Sequence, residues 1–198
     1  MDGGSTDDTA RIAESGGAHV ITERRRGYGR ACDTGAQLAS GDILVFLDAD
    51  GANDPSQIPD LITPITQGGV DMVLGSRLAG KIAPGAMPSH QRFGNWLSAL
   101  LIHILYGLPI TDLSPFRAVV RQKLLSLDIQ DMTYGYPTET IVKAARCAWA
   151  VEEVPVHSYP RSGGKSKISG TMRGTILATV HILGTIFRYV RYDEQKSA

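Results

Sequence analysis

Cysteine is scarce in this chain, two among 198 residues, and Cys32 and Cys147 show no Cys-x-x-Cys spacing. That excludes a disulfide framework and thiolate zinc sites, and it leaves reduced, buried thiols in a reducing compartment. Histidine is nearly as sparse. His19, His90, His103, His157 and His181 are scattered, without the close pairing that a zinc site needs. An excess of charge of either sign is missing too: 20 basic residues face 20 acidic ones, so nothing in the balance points to a nucleic-acid partner. Long apolar runs are also absent. Residues 96–105 and 176–190 are the most apolar stretches, both too short or too interrupted for a bilayer span of about 20 residues. The second suits burial against the domain or a place in a membrane interface. No signal-peptide pattern opens the sequence. These absences predict one cytoplasmic domain over residues 1–198, not integral to a membrane, with peripheral contact at the inner face of the cytoplasmic membrane left open.

What the chain does carry is alternation. Ser5-Thr6-Asp7-Asp8 is a helix-start signal, and Gly16-Gly17 breaks the helix that follows. Residues 19–22 read as a short strand, and Gly27-Tyr28-Gly29 as a flexible loop leading into a helix that ends near Ser40-Gly41. A strand ending at Asp48, a helix opened by Pro55, and a strand over 70–74 come next. The second half shows helices over 94–105, 124–127 and 138–147, a strand over 151–156, a basic Gly-rich loop over 161–167 and a long terminal helix. Strands alternating with helices predict an α/β fold with a mostly parallel sheet flanked by helices. Ligands of such folds bind beyond the carboxyl ends of the strands.

That is where the most informative stretch places its acids. Ile43-Leu44-Val45-Phe46-Leu47-Asp48-Ala49-Asp50 is an apolar run of strand length closed by two carboxylates at i and i+2. Hard Mg²⁺ or Mn²⁺ takes oxygen ligands and favours one or two carboxylates plus substrate phosphates. Taken alone, the pair fits a turn at Asp50 and Asn53 with a cap by Asp48 better than a metal. The neighbouring motifs reverse that preference.

Five segments occur in order: Asp2-Gly3-Gly4-Ser5-Thr6-Asp7; Gly41-Asp42 ahead of Asp48-Ala49-Asp50; Gly75-Ser76-Arg77; Thr111-Asp112 ahead of Phe116-Arg117; and Arg161 ahead of Gly164-Lys165-Ser166-Lys167. Together they resemble family 2 glycosyltransferases, in particular the bacterial relatives of dolichol-phosphate mannosyltransferase and other polyprenyl-phosphate glycosyltransferases. The resemblance covers nearly the whole chain. It implies the GT-A nucleotide-diphospho-sugar transferase fold, with a mixed sheet. It also implies metal-dependent, inverting transfer of a hexose from a UDP- or GDP-sugar to an acceptor, with Mg²⁺ or Mn²⁺ as cofactor. A polyprenyl phosphate leads as acceptor, and another phosphorylated acceptor or a glycan hydroxyl stays open, as does a homo-oligomer. Relatives carry a strand, a helix and a second strand ahead of the loop matching Asp2, so the fold is expected to lack that first strand-helix-strand.

The resemblance also assigns residues. Asp48 and Asp50 hold the metal, with Asp48 facing the nucleotide-sugar as well. Asp2 contacts the nucleoside, and Arg26 and Arg77 lie toward the diphosphate. Arg117, Arg161, Lys165 and Lys167 position the acceptor phosphate, Arg through paired hydrogen bonds. Asp112 is the candidate base or orienting group, and Glu139 a lesser candidate whose alternative is a helix N-terminus. Relatives often have a polar residue where this chain has Ala52, so one metal contact is expected to be missing. Two rivals stay beside this reading: a catalytically incomplete fragment or non-catalytic paralogue that keeps the fold, and a nucleotidyltransferase.

Overall fold

Residues 1–163 and 172–190 are described by the computed structural model, with the backbone alone for 172–178. Lys165 and Lys167 therefore lie outside the described residues.

The apolar strand runs form one four-stranded sheet. β1 (Ile43–Phe46), β2 (Met72–Ile82), β3 (Arg117–Val120) and β4 (Val151–Ser158) stand in the order β1-β3-β2-β4. Successive strand residues point to opposite faces, and both faces are buried. Leu44, Met72, Leu74 and Val119 pack on one side with α2 (Tyr28–Leu38), α4 (Ser89–Tyr106), α5 (Arg121–Ser126), α6 (Tyr136–Arg146) and α7 (Met172–Arg188). Val73, Ala118 and Val156 pack on the other with Leu61 and Ile65 of α3 (Ile58–Gln67), which follows a 3₁₀ turn at Pro55–Gln57. α1 (Thr9–Ser15) buries no side chain.

Strand direction and strand pairing diverge here. β2 pairs in parallel with β4, whereas β3 is antiparallel to both β1 and β2. Three strands thus run the same way, as alternation predicts. The one reversed strand sits between two of them, which makes the sheet mixed, as the resemblance implies. Alternation could not reveal β3, which has four residues and opens on a charged one. Residues 19–22 are corrected as well. They form no strand, only a single parallel bridge from Thr22 to Asp2, because one loop is all the backbone beside them.

Candidate active site

The reversed β3 brings four loops to one edge of the sheet. Phe46 at the end of β1 faces Arg117 at the start of β3, which faces Leu74 in β2. The loop after β1, the continuation of β2 through Ser76 and Arg77, the segment before β3 and the segment after β4 therefore meet. Between them lies a cleft of about 390 Å³ whose lining includes Asp48, Asp50, Arg77, Gln91, Tyr159 and Arg161.

The carboxylate loop is stitched to the end of β4. Asn53 bridges Ser158, the Tyr159 amide donates to the Ala52 carbonyl at 2.9 Å, and the Ser162 amide donates to the Asp50 carbonyl at 2.8 Å. Gly51 has φ +75, a conformation that favours glycine, and a Cβ there would stand 2.1 Å from Ser162 Oγ, so a larger residue would strain the turn and displace that hydroxyl. On this seam Asp50 Oδ2 pairs with Arg161 Nη2 at 3.0 Å, and Asp50 Oδ1 accepts from the Ala52 amide at 2.9 Å. Ala52 thus offers backbone only.

Asp48 has a different setting. Its Oδ1 accepts from the Tyr28 hydroxyl at 3.2 Å. Burial first, and the neighbouring Asp50 charge second, raise its pKa above the ordinary carboxylate value. Tyr28 is held from below: the Gly29 amide donates to the Thr133 carbonyl and the Arg30 amide to the Met132 carbonyl, both at 3.0 Å. A Cβ on Gly29 would lie 2.5 Å from the Asp131 carbonyl, so the glycine permits this contact.

The third group is a committed ion pair. Asp112 is fully buried and accepts from Arg77 Nε at 2.8 Å, Arg77 Nη2 at 2.7 Å and the Arg77 amide at 2.8 Å. Burial alone would lower the Arg77 pKa, but Asp112 outweighs it and the pKa is raised. The loop carrying Asp112 is fixed by Glu153 of β4, which accepts from the amides of Thr111 and Asp112, and by Thr111 against Ser76 at 2.7 Å.

Several expected residues stand elsewhere. Arg117 is completely buried, and its three guanidinium nitrogens have no hydrogen-bond partner among the described residues. Its charge lies over the rings of Phe46 at 4.8 Å and Tyr136 at 5.7 Å, an aromatic box beneath the cleft rather than a lining group. Glu139 is buried away from the cleft, accepting from the amides of Gln130 and Asp131, from the Tyr189 hydroxyl and from Lys143. Asp2 spends its carboxylate on its own loop, accepting from Gly4 and Ser5, and the Ser5 hydroxyl lowers its pKa. Arg26 is exposed and does not line the cleft. The sequence did not single out Tyr28, Tyr159 or Gln91; their roles come from contacts between distant segments, and no spacing announces them.

The donor set suits a hard cation. Two carboxylates converge at the cleft, with no group of three His, Cys, Asp or Glu among the described residues. Such a site leaves coordination positions for water and substrate phosphates instead of caging the ion.

Residues 1–127 match the family model described as Glycosyl transferase family 2. An uncharacterised glycosyltransferase of Mycobacterium tuberculosis is 39% identical over 178 residues, 90% of this chain and 80% of that protein. The undecaprenyl-phosphate mannosyltransferase of Micrococcus luteus is 31% identical over 190 residues, 90% of this chain and 76% of that protein. Among solved structures, glucosyl-3-phosphoglycerate synthase from Mycobacterium tuberculosis, in complex with Mn²⁺, UDP and glucosyl-3-phosphoglycerate, superposes with a TM-score of 0.75 at 22% identity. It covers 98% of this chain and 68% of that one.

Proposed function

The chain belongs to glycosyl transferase family 2, and from that premise we propose that it moves a hexose from a UDP- or GDP-sugar to a polyprenyl phosphate, with inversion at the anomeric carbon. The observation that carries this reading is the convergence of Asp48, Asp50, Arg77 and Arg161 on one cleft. A divalent cation held by Asp48 and Asp50 would supply electrophilic charge to the leaving diphosphate. Mn²⁺ in the related synthase supports that cation, and Mg²⁺ shares its preference for oxygen ligands.

The chain's own residues do the rest. Arg161 offers a guanidinium to phosphate oxygens at the cleft mouth. Arg77, its plane fixed by Asp112, presents a fixed charge to the cleft. In the transfer itself an acceptor oxygen attacks the anomeric carbon opposite the diphosphate. The sugar–oxygen bond breaks, and its electron pair leaves with the nucleoside diphosphate. A hydroxyl acceptor needs a base for this step, and a phosphate oxyanion does not. Asp112 is bound through both oxygens to Arg77, so it orients rather than takes a proton. Asp48 and Asp50 are the carboxylates among the described lining residues, and both are assigned to the cation. An acceptor that arrives already anionic fits this cleft, and the Micrococcus luteus relative's name supports a lipid phosphate.

Calorimetric titration of UDP and GDP, with and without Mn²⁺, comes first and identifies the base. Transfer is then assayed from the matching radiolabelled sugar nucleotide to undecaprenyl phosphate in detergent, with 3-phosphoglycerate as the competing acceptor. Metal-dependent nucleotide binding and label in the lipid fraction are expected. Label on phosphoglycerate alone overturns the acceptor, and a chain that binds neither nucleotide is the non-catalytic rival.

A further inference from the structure

Helix α4 begins at the cleft and runs away from it with an apolar face turned to solvent. Pro88, its N-cap, and Gln91 in its first turn line the cleft. Beyond them Phe93, Trp96, Leu100 and Ile104 are 62%, 51%, 36% and 65% exposed. Their spacing of three or four residues puts them on one stripe, about 16 Å long at the helical rise. Phe93 and Trp96 touch, with ring centroids 5.8 Å apart. The opposite side, with Ser98, Ala99 and Ile102, is buried in the core. The stripe is thus a second apolar surface, beyond what packing requires. Single exposed apolar residues need no explanation, whereas a contiguous row marks an interaction site.

The charges beside it select the occupant. α4 contains no Asp or Glu, and neither does α7, which packs against it and exposes Val180 and Phe187. Exposed Arg92 borders the stripe on α4, and Arg188 ends α7. An apolar stripe containing an amphipathic Trp, flanked by cations, matches an anionic bilayer surface, where rings sit at the headgroup boundary and cations meet phosphates. A second copy of the chain fits less well, because the two helices would bring Arg92 and Arg188 together with no acid of their own to pair them. No helix among the described residues is long and apolar enough to cross a membrane.

We propose that α4, with α7 beside it, docks the protein on an anionic phospholipid surface through Phe93, Trp96, Leu100 and Ile104. The cleft entrance then lies at the headgroup level, because α4 starts there. This docking is argued from the helices alone and does not depend on which acceptor the cleft takes.

The test uses the full chain carrying Trp149→Phe, which leaves Trp96 as its one tryptophan, without donor or acceptor. Circular dichroism checks its fold. Vesicles of equal parts phosphatidylglycerol and phosphatidylcholine should shift Trp96 emission to the blue and sediment the protein, and high salt should weaken both. Pure phosphatidylcholine should bind about tenfold less or worse. Adding Phe93→Ser and Ile104→Ser, both on exposed positions, should reduce sedimentation by a similar factor. No shift and no sedimentation would overturn the proposal. So would a shift that tracks protein concentration without vesicles and doubles the sedimenting mass, which assigns the stripe to a second copy. Because no sugar is transferred in this assay, failure here leaves the acceptor reading standing, and loss of transfer to lipid leaves the docking standing.

Discussion

Asp48 and Asp50 stand two residues apart yet are held by different partners. Asp50 faces Arg161 at the open side of the cleft, while Asp48 is tucked against Tyr28. Replacing Asp50 by Ala should abolish Mn²⁺-dependent nucleotide binding, a loss of at least about 100-fold for a direct ligand. The fold should persist, since the carboxylate's protein partners are an exposed arginine and one loop amide; titration calorimetry and circular dichroism check the two halves, and undiminished binding would sink the metal assignment. Asp48→Asn should behave differently. A raised carboxylate pKa means that the folded state disfavours the ionised form, so stability is lost as pH rises through the folded value. Asn keeps an acceptor for Tyr28 and removes the charge. In metal-free buffer at neutral pH the variant should melt higher, by about 2–4 °C if the gain is about 1 kcal/mol. That gain should vanish below the ordinary Asp value of 3.8, where both proteins are neutral at this position. Added Mn²⁺ should raise the melting point of the parent chain and not of the variant. The pair was legible only beside the neighbouring motifs, because two acids closing an apolar strand also suit a turn and a cap. Their unequal environments were not, since Tyr28 is aimed by a loop far along the chain.

At the scale of elements, glycines separate packing from propensity. Gly29 lies in the first turn of α2, where a Cβ would meet the Asp131 carbonyl at 2.5 Å, the Met132 carbonyl carbon at 2.7 Å and Tyr136 Cβ at 2.8 Å. None of these is the far end of a flexible side chain. Gly29→Ala should therefore push α2 off the loop below, lowering the melting temperature and loosening Tyr28 from Asp48, with weaker Mn²⁺ binding as the readout. Gly94, inside α4, has nothing within 4 Å of its Cβ position. There Ala should stabilise the chain by about 0.5–1 kcal/mol through helix propensity alone, measured by urea denaturation. Most helices could be read from the sequence because their breakers and caps are local. β3 could not: it is four residues, it opens on Arg117, and it earns strand geometry only from two neighbours supplied by distant segments. The same placement explains why Arg117, expected at an acceptor phosphate, is instead enclosed by Phe46 and Tyr136.

Across the whole molecule, Glu139 links parts that no motif connects. From α6 it accepts the amides of Gln130 and Asp131 in the loop that supports Tyr28, the hydroxyl of Tyr189 just after α7, and the ammonium of Lys143. Burial by itself would raise its pKa. The amides, Lys143 and Tyr189 outweigh burial, so the pKa is lowered from the ordinary 4.5. A depressed carboxylate contributes stability that is present above the unfolded value and lost as pH falls through the folded one. Glu23 adds to the same limb, drawn down to about 2 chiefly by the Arg25 guanidinium. Stability of the parent chain should therefore fall steadily as pH drops below 4.5. Glu139→Gln removes the charge, leaves Lys143 without its carboxylate, and cannot accept all four bonds. Its cost at neutral pH should be about 3–5 kcal/mol, the size seen when a buried ion pair loses one member. Its acid limb should also be shallower than the parent's, because one of the groups that must be protonated is gone. Urea midpoints across pH 3–7 measure both effects. Parallel limbs, with the variant merely displaced downward, would mean that Glu139 takes up its proton over the same pH range folded and unfolded, and that its loop is held by geometry alone.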